Sequence, residues 1–469
     1  MNTIATPELD SASERRRFPW LVLLTIAAVF FYTQHDVRHN IQYRERGVEE
    51  FNPTVEEAEQ LIAGWERGKA SHAVAYLALG AFGALCLIGP DGRRLRVRDP
   101  FAGVVLFYVV WCFASVLWAV DPALTIRKLA IFTMLCLGVL GAAKRLRNDD
   151  VMVFVFVCMG VYVSIGLASE IVIGSFRPWI PGYRFSGTCH PNGQALDCAF
   201  LLLSALFLSM KGSKRKFTIL VTFLALIGLF LTRSRTAAAA AILAPLLFWG
   251  LVTSRSNKIV AAVLVGVLVS GVFLFQNTLL PILEKGAVMG RTDEIATNIG
   301  SLTGRTDLWR EAKDTYISRR PTLGYGYNSF WTGANIGRIE EVIDFMVGSG
   351  HSAYIDLWLG VGLIGLIAYL LMYFLAVVRA LRFYWASRDL VYAFYGSVLL
   401  LSLLQGLLES SFLHPSVSTL VSMVIIIHLG FGDPPSRSAI TATAPDAVGD
   451  PLQAAAGLSP NAVSSGGSV

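Results

Sequence analysis

The chain is a succession of apolar runs separated by short polar connections. The runs occupy 18–32, 72–89, 101–120, 124–143, 151–173, 194–210, 216–232, 236–252, 258–276, 353–378, 389–410 and 415–431. They are apolar on every face, unlike the one-sided stripe of a surface helix or the alternation of a half-buried strand. Crossing a bilayer core takes about 20 residues of helix, and several of the runs hold only 15–19. The pattern predicts an all-α polytopic membrane protein with about twelve transmembrane helices.

Two connections are long enough to fold. In the first, 33–71, Thr54 can cap a helix whose first turn holds Glu56 and Glu57, with Leu61, Ile62 and Trp65 on one face. In the second, about 277–352, Thr306 can cap a helix from Asp307 to Ser318. Trp309, Ala312, Tyr316 and Ile317 form its apolar face, which can lie on the membrane or on the helix bundle. Arg319-Arg320-Pro321 stop it, and a turn at Gly324-Tyr325-Gly326-Tyr327-Asn328 follows. From 432 to 469 the composition shifts to Pro, Ala, Ser and Gly, which predicts a disordered cytoplasmic tail after a membrane domain at 1–431.

Composition agrees with this reading. The chain is 54% hydrophobic and 15% charged, and its mean hydropathy is +0.57. Basic residues mark alternate connections: Arg15 to Arg17, Arg93 to Arg98, Lys144 to Arg147, Lys211 to Lys216, Arg255 and Lys258, then Arg379 to Arg388. The positive-inside bias therefore predicts both termini in the cytoplasm. It also accounts for most of the net charge of +6, so no nucleic-acid partner is implied. The first span lacks a small-residue cleavage site, and an uncleaved anchor is expected. The six cysteines are scattered, with no CxxC pair; Cys189-His190 are adjacent, but two neighbours do not make a zinc site. No metal and no cofactor are expected. Walker and dinucleotide motifs are missing, and the acidic group Glu340, Glu341 and Asp344 reads as a solvated helix face.

Candidate chemistry lies where the charge pattern is broken. Arg233 and Arg235 occupy the outer turn between spans seven and eight, where arginine is disfavoured. They can snorkel to the headgroups or form an anion site. Arg184 lies in the outer loop after span five, followed by His190 and Asn192; Arg127 lies one turn inside span four, near Asp121. Arg305 stands at the predicted helix start, where a guanidinium and a helix N-terminus together suit phosphate. His351 stands at the mouth of the tenth span, at the border between an aqueous loop and lipid, with an imidazole that ordinarily titrates near neutral pH. Arginines plus one histidine on the outer face suit an anionic leaving group such as a lipid diphosphate. Arginine charge can stabilise its departure in place of a metal, while the imidazole takes the proton of an acceptor hydroxyl.

These segments resemble the O-antigen ligase and polymerase superfamily. The resemblance rests on Ser115-x-x-Trp118-x-x-Asp121-Pro122 with Arg127, Arg184-Phe185-Ser186-Gly187 with His190-Pro191-Asn192, Thr232 to Thr236, Gly304-Arg305-x-x-Leu308-Trp309 and Gly324-x-Gly326-x-x-x-Phe330. Its most specific part is His351-Ser352-x9-Gly362-x-x-Gly365. The resemblance implies a membrane-embedded, inverting, metal-independent glycosyltransferase of the bacterial inner membrane. Its donor would be an undecaprenyl-diphosphate-linked oligosaccharide, used on the periplasmic face. His351 matches the family's base and Arg235 and Arg305 its diphosphate-binding arginines. Arg233, Arg184 and Arg127 are further candidates, and His190, Asn192, Tyr325 and Asn328 are candidate glycan contacts. Implied partners are membrane lipid, a glycan or lipid A-core acceptor, a flippase and a chain-length regulator.

The layout lies closer to exopolysaccharide polymerases, which extend a lipid-linked repeat, than to ligases acting on lipid A-core. Transfer to protein is a third outcome. A secondary transporter is the alternative of another class. It would carry its charges in a midplane cavity, whereas a transferase would gather the arginines and His351 at the outer leaflet.

Overall fold

The computed structural model describes residues 19–35, 70–90, 92–97, 99–180, 183–253, 305–343, 347–410 and 414–434. Among these every regular element is helical. The bundle is built from α1 (Trp20–Gln34), α2 (Ala70–Ile88), α3 (Pro100–Ala114), α4 (Pro122–Arg145), α5 (Asn148–Ile173), α6 (Pro191–Met210), α7 (Arg215–Leu231) and α8 (Arg235–Val252). After two short helices, α9 (Arg305–Glu311) and α10 (Gly333–Ile343), come α11 (Ala353–Ser387), α12 (Leu390–Gly406) and α13 (Val417–Phe431). Seven stretches, α2, α3 with the 3-10 turn to Trp118, α4, α5, α6, α8 and α11, are long and apolar enough to cross a membrane. Eleven of the twelve predicted spans coincide with a helix; 258–276 lies outside the described residues, as do 36–69 of the first long connection and the tail from 435.

Local sequence starts several of these helices in one way. Asp99-Pro100 opens α3 and Asp121-Pro122 opens α4, with Asp121 Oδ1 accepting from Leu124 N at 2.9 Å. His190-Pro191 opens α6, the His190 ring accepting from Asn192 N. In each pair the first side chain satisfies an orphan N–H, and proline at the first helical position sacrifices none. The bundle buries an apolar core while α7 presents Phe217, Leu220, Phe223, Ile227 and Phe230 outward, as a lipid-facing surface requires. Between α2 and α4 the backbones almost touch: a Cβ on Gly83 would lie 2.3 Å from the Leu137 carbonyl oxygen.

The described part of the second long connection, from Arg305 onward, packs onto the bundle. Leu308, Ala312, Tyr316, Ile317, Phe330, Ile339, Val347 and Leu359 form a second apolar cluster, so the face predicted for 307–318 packs on protein. The helix begins at Arg305, placing Thr306 within its first turn and not at its cap, and it widens into a π turn at Ala312–Tyr316 before ending at Arg319. The Gly324-x-Gly326 turn has a matching break in α11. At Gly362 (φ 71°) the helix is interrupted, and the carbonyls of Leu359 and Gly360 accept from Tyr325 N and Gly326 N, each at 2.8 Å. The Trp111 Nε1 donates to the Val361 carbonyl at 2.9 Å. Any side chain at Gly362 would collide with the Thr322 carbonyl, 2.1 Å from an ideal Cβ. The two glycine signals are therefore two halves of one backbone contact.

Candidate functional site

Four segments far apart in the chain meet in one chain of polar contacts. Arg305, at the start of α9, places Nη2 2.9 Å from Oε1 of Glu409, just beyond α12. The same oxygen accepts from Asn192 Nδ2 at 2.8 Å. Asn192 Oδ1 in turn accepts from Arg184 Nη2 at 3.0 Å, and Arg184 Nε donates to the Thr232 carbonyl at the end of α7 at 3.1 Å. Thr232 leads through Arg233 and Ser234 into Arg235, the first residue of α8. Burial raises the Glu409 pKa, opposed by the charges of Arg305 and Arg184.

His351 completes the arrangement. Its pKa is lowered to about 4, first by burial and then by the positive charge of Arg305. The neutral-range titration expected from the bare sequence therefore gives way to an imidazole that is unprotonated at pH 7, the form a proton acceptor needs. Two contacts fix its loop. Trp309 Nε1 on α9 donates to the Gly350 carbonyl at 2.8 Å, which couples the Arg305 helix to the histidine. Asp356, one turn into α11, accepts from Gly350 N at 2.8 Å, from Trp331 Nε1 at 2.8 Å and from Ser410 Oγ. His351 itself adopts φ 47°, Arg233 φ 51° and Asn328 φ 51°. Non-glycine residues rarely hold this left-handed conformation, and where they do the surroundings impose it.

The remaining sequence candidates are placed as follows. Tyr325 donates from its hydroxyl to the Tyr316 carbonyl at 2.9 Å and packs on Phe330, within the second apolar cluster. Asn328 lines a cavity of about 320 Å³ among α2, α3, α4, α11 and α13, whose polar end carries Lys128, Tyr327 and His414. His190 is exposed and caps α6, and Arg127 is exposed on α4, whose cap is Asp121. The Arg184 loop is held from below by Glu170, which is buried and accepts from Tyr183 Oη, Ser186 N and Gly187 N.

Glu409 and Asp356 were not singled out from sequence. Both lie inside predicted apolar spans, 389–410 and 353–378, and a carboxylate within such a span is a functional signal in its own right. Chemically, the cluster offers two guanidinium groups around one displaceable carboxylate, with a neutral imidazole alongside. That suits an anionic group near Arg305 and a proton donor near His351. No curated protein matches the chain. Residues 220–370, which span the Arg233–Arg235 turn, Arg305 and the whole His351-to-Gly365 motif, match the family model described as O-antigen ligase, and the match supports the resemblance to the O-antigen ligase and polymerase superfamily.

Proposed function

We propose that the chain is a glycosyltransferase of the bacterial inner membrane that uses an undecaprenyl-diphosphate-linked oligosaccharide on the periplasmic face, with both termini in the cytoplasm. The observation that supports this best is the contact of Arg305 and Asn192 with Glu409, extended through Asn192 to Arg184, with His351 inside the field of Arg305. In the free protein Glu409 holds Arg305. An incoming diphosphate, carrying more negative charge, competes for that guanidinium, displaces the single contact to the carboxylate and can take a bidentate one. Arg235, at the adjoining α8 start, is the second diphosphate contact, with Arg233 and Arg127 supporting roles around it. Part of the polyprenyl chain would occupy the apolar cavity below Tyr327 and Asn328.

Transfer then needs one bond made and one broken. The acceptor hydroxyl attacks the anomeric carbon opposite the diphosphate and His351 takes its proton. The diphosphate leaves with the bonding electron pair, stabilised by arginine, and the configuration inverts. Magnesium or manganese has no role in this scheme. The acceptor is a second lipid-linked repeat unit, which makes the chain a polymerase of exopolysaccharide or O-antigen. Ligation to lipid A-core is the alternative, and a flippase and a chain-length regulator are the expected partners of either. Incubating purified protein with lipid-linked oligosaccharide, with and without lipid A-core, separates the cases. A ladder without the core supports polymerisation, a product only with the core supports ligation, and no product under either condition rejects both.

A further inference from the structure

Away from the Arg305–His351 cluster, three donors of different chemistry meet beside the end of α1. His35 follows α1, Cys189 lies in the loop before α6, and Asp197 lies on α6; one ligand atom from each falls within 4.8 Å of the other two. The adjacency of Cys189 and His190 in the sequence is misleading, because His190 caps α6 and is exposed while Cys189 faces His35.

The imidazole is already aimed. His35 Nδ1 is 2.8 Å from Thr188 Oγ1, which leaves Nε2 toward the cluster, and the ring is held between Phe31 and Tyr162 at centroid distances of 5.0 and 4.5 Å. A hydrogen bond on the distal nitrogen is the usual support of a metal-bound histidine. The His35 side chain is 3% exposed and that of Asp197 17%, yet Nε2 stands 3.8 Å from Asp197 Oδ2, beyond hydrogen-bond length. Gln194 Oε1, 3.7 Å from Cys189 Sγ, adds a further oxygen at the same place.

We propose that His35, Cys189 and Asp197 form a structural zinc site, with Gln194 Oε1 or water as fourth ligand. One nitrogen, one sulfur and one carboxylate suit a tetrahedral Zn2+, and the charge balances. Binding expels the protons of Cys189 and Asp197, and thiolate plus carboxylate neutralise the divalent ion in a buried setting. Zinc–ligand bonds of roughly 2.0–2.3 Å put tetrahedral donors about 3.5 Å apart, so closure asks only small side-chain shifts. The ion would fasten the end of α1 to the loop and helix that carry Arg184 and Asn192. It takes no part in glycosyl transfer, and the inference stands whether or not that reading holds.

Full-length protein in detergent, loaded with Zn2+ and passed over a chelating resin, should retain about one zinc per chain by elemental analysis. Its Co2+ form should show the near-ultraviolet thiolate-to-metal charge-transfer band. Cys189→Ser should lose the band, His35→Ala and Asp197→Asn should weaken retention at least tenfold, and zinc should raise the thermal midpoint of the wild type only. A wild type that keeps no zinc, or a cobalt form without the thiolate band, overturns the proposal. Both readings come from the unmutated protein, so they hold even where a variant fails to fold.

Discussion

The two ends of the helix bundle use charge in different ways. At the end where α4 meets α5 and α6 meets α7, each cation has near neighbours and a local task. Lys144 donates to the carbonyls of Leu87 and Gly89, closing the end of α2, and Arg93 donates to Asn148 Oδ1. Lys211 bridges Asp149 and Asp389, and Arg379 pairs with Asp99. Asp149, Asp389 and Asp99 sit at helix starts and Lys211 at the end of α6, so its two pairs pin helix termini together, while Arg379 reaches Asp99 from two turns inside α11. At the opposite end Arg305 and Arg184 both act on one buried carboxylate, Glu409. Basic residues at the first end hold helices. Those at the second gather around one buried carboxylate, the arrangement that the proposed anion site requires.

The sharpest way to break this contrast is to remove a cation from each end. Arg305→Ala should lower kcat/KM for lipid-linked donor by roughly 10³, the scale for losing a preorganised charge on a developing anion. Arg305→Lys restores charge without the planar fork, so it should recover only part of that loss and mainly in KM. Activity within a few-fold of wild type for both would mean the Glu409 cluster is only a structural ion pair.

His351→Ala should slow the chemical step by about a hundredfold while donor binding persists. The pH dependence adds a sign that a structural histidine would not give. In the free protein the His351 pKa is lowered to about 4 by burial and by Arg305, so kcat/KM should fall only as pH drops through that value. A bound diphosphate neutralises Arg305 and favours imidazolium, so the acidic limb of kcat should lie at higher pH than that of kcat/KM. Coincident limbs, or limbs that survive in His351→Ala, would remove the histidine from the chemistry.

Much of the first end, and only part of the second, can be read from sequence. Continuous apolar runs and basic connections are local signals, and Asp-Pro or His-Pro pairs announce helix starts within two residues. The glycines of the His351 motif were legible as a pattern but not as a cause. That Gly362 breaks α11 so that Leu359 and Gly360 can accept from the Gly324–Gly326 turn depends on segments more than thirty residues apart. Glu409 was hidden for a similar reason: next to Leu407 and Leu408 it reads as the end of a span, and only folding brings Arg305 to it across 104 residues. The depressed pKa of His351 comes from burial, which no local spacing encodes.

A smaller effect separates holding from reacting within the second end. Asp356→Asn keeps volume but weakens acceptance from Gly350 N, Trp331 Nε1 and Ser410 Oγ, which fix the His351 loop. The expected loss is about tenfold in kcat with KM little changed, because a positioning group acts through the histidine and not on the diphosphate. The same substitution in His351→Ala should then cost almost nothing further, since residues acting as a unit are not additive. Full additivity in the double variant would show that Asp356 acts elsewhere.

The smallest effect belongs to the first end. Lys211→Met removes the bridge to Asp149 at 2.5 Å and Asp389 at 3.0 Å, all at least a quarter exposed. Ion pairs of that exposure contribute about 0–1 kcal/mol, so thermal unfolding in detergent should move by only a few degrees. Lys211 has no contact with the Arg305–Glu409 cluster among the described residues, so kcat, KM and the pH limbs should remain those of the wild type. The variant also removes one of several basic residues in its connection, and Lys214, Arg215 and Lys216 still supply the orientation signal. A tenfold loss of kcat in properly inserted Lys211→Met would tie the two ends together through α6, the most buried of the spanning helices, whose other terminus carries Asn192. In that event the division between a holding end and a reacting end would have to be abandoned in favour of a single coupled charge network.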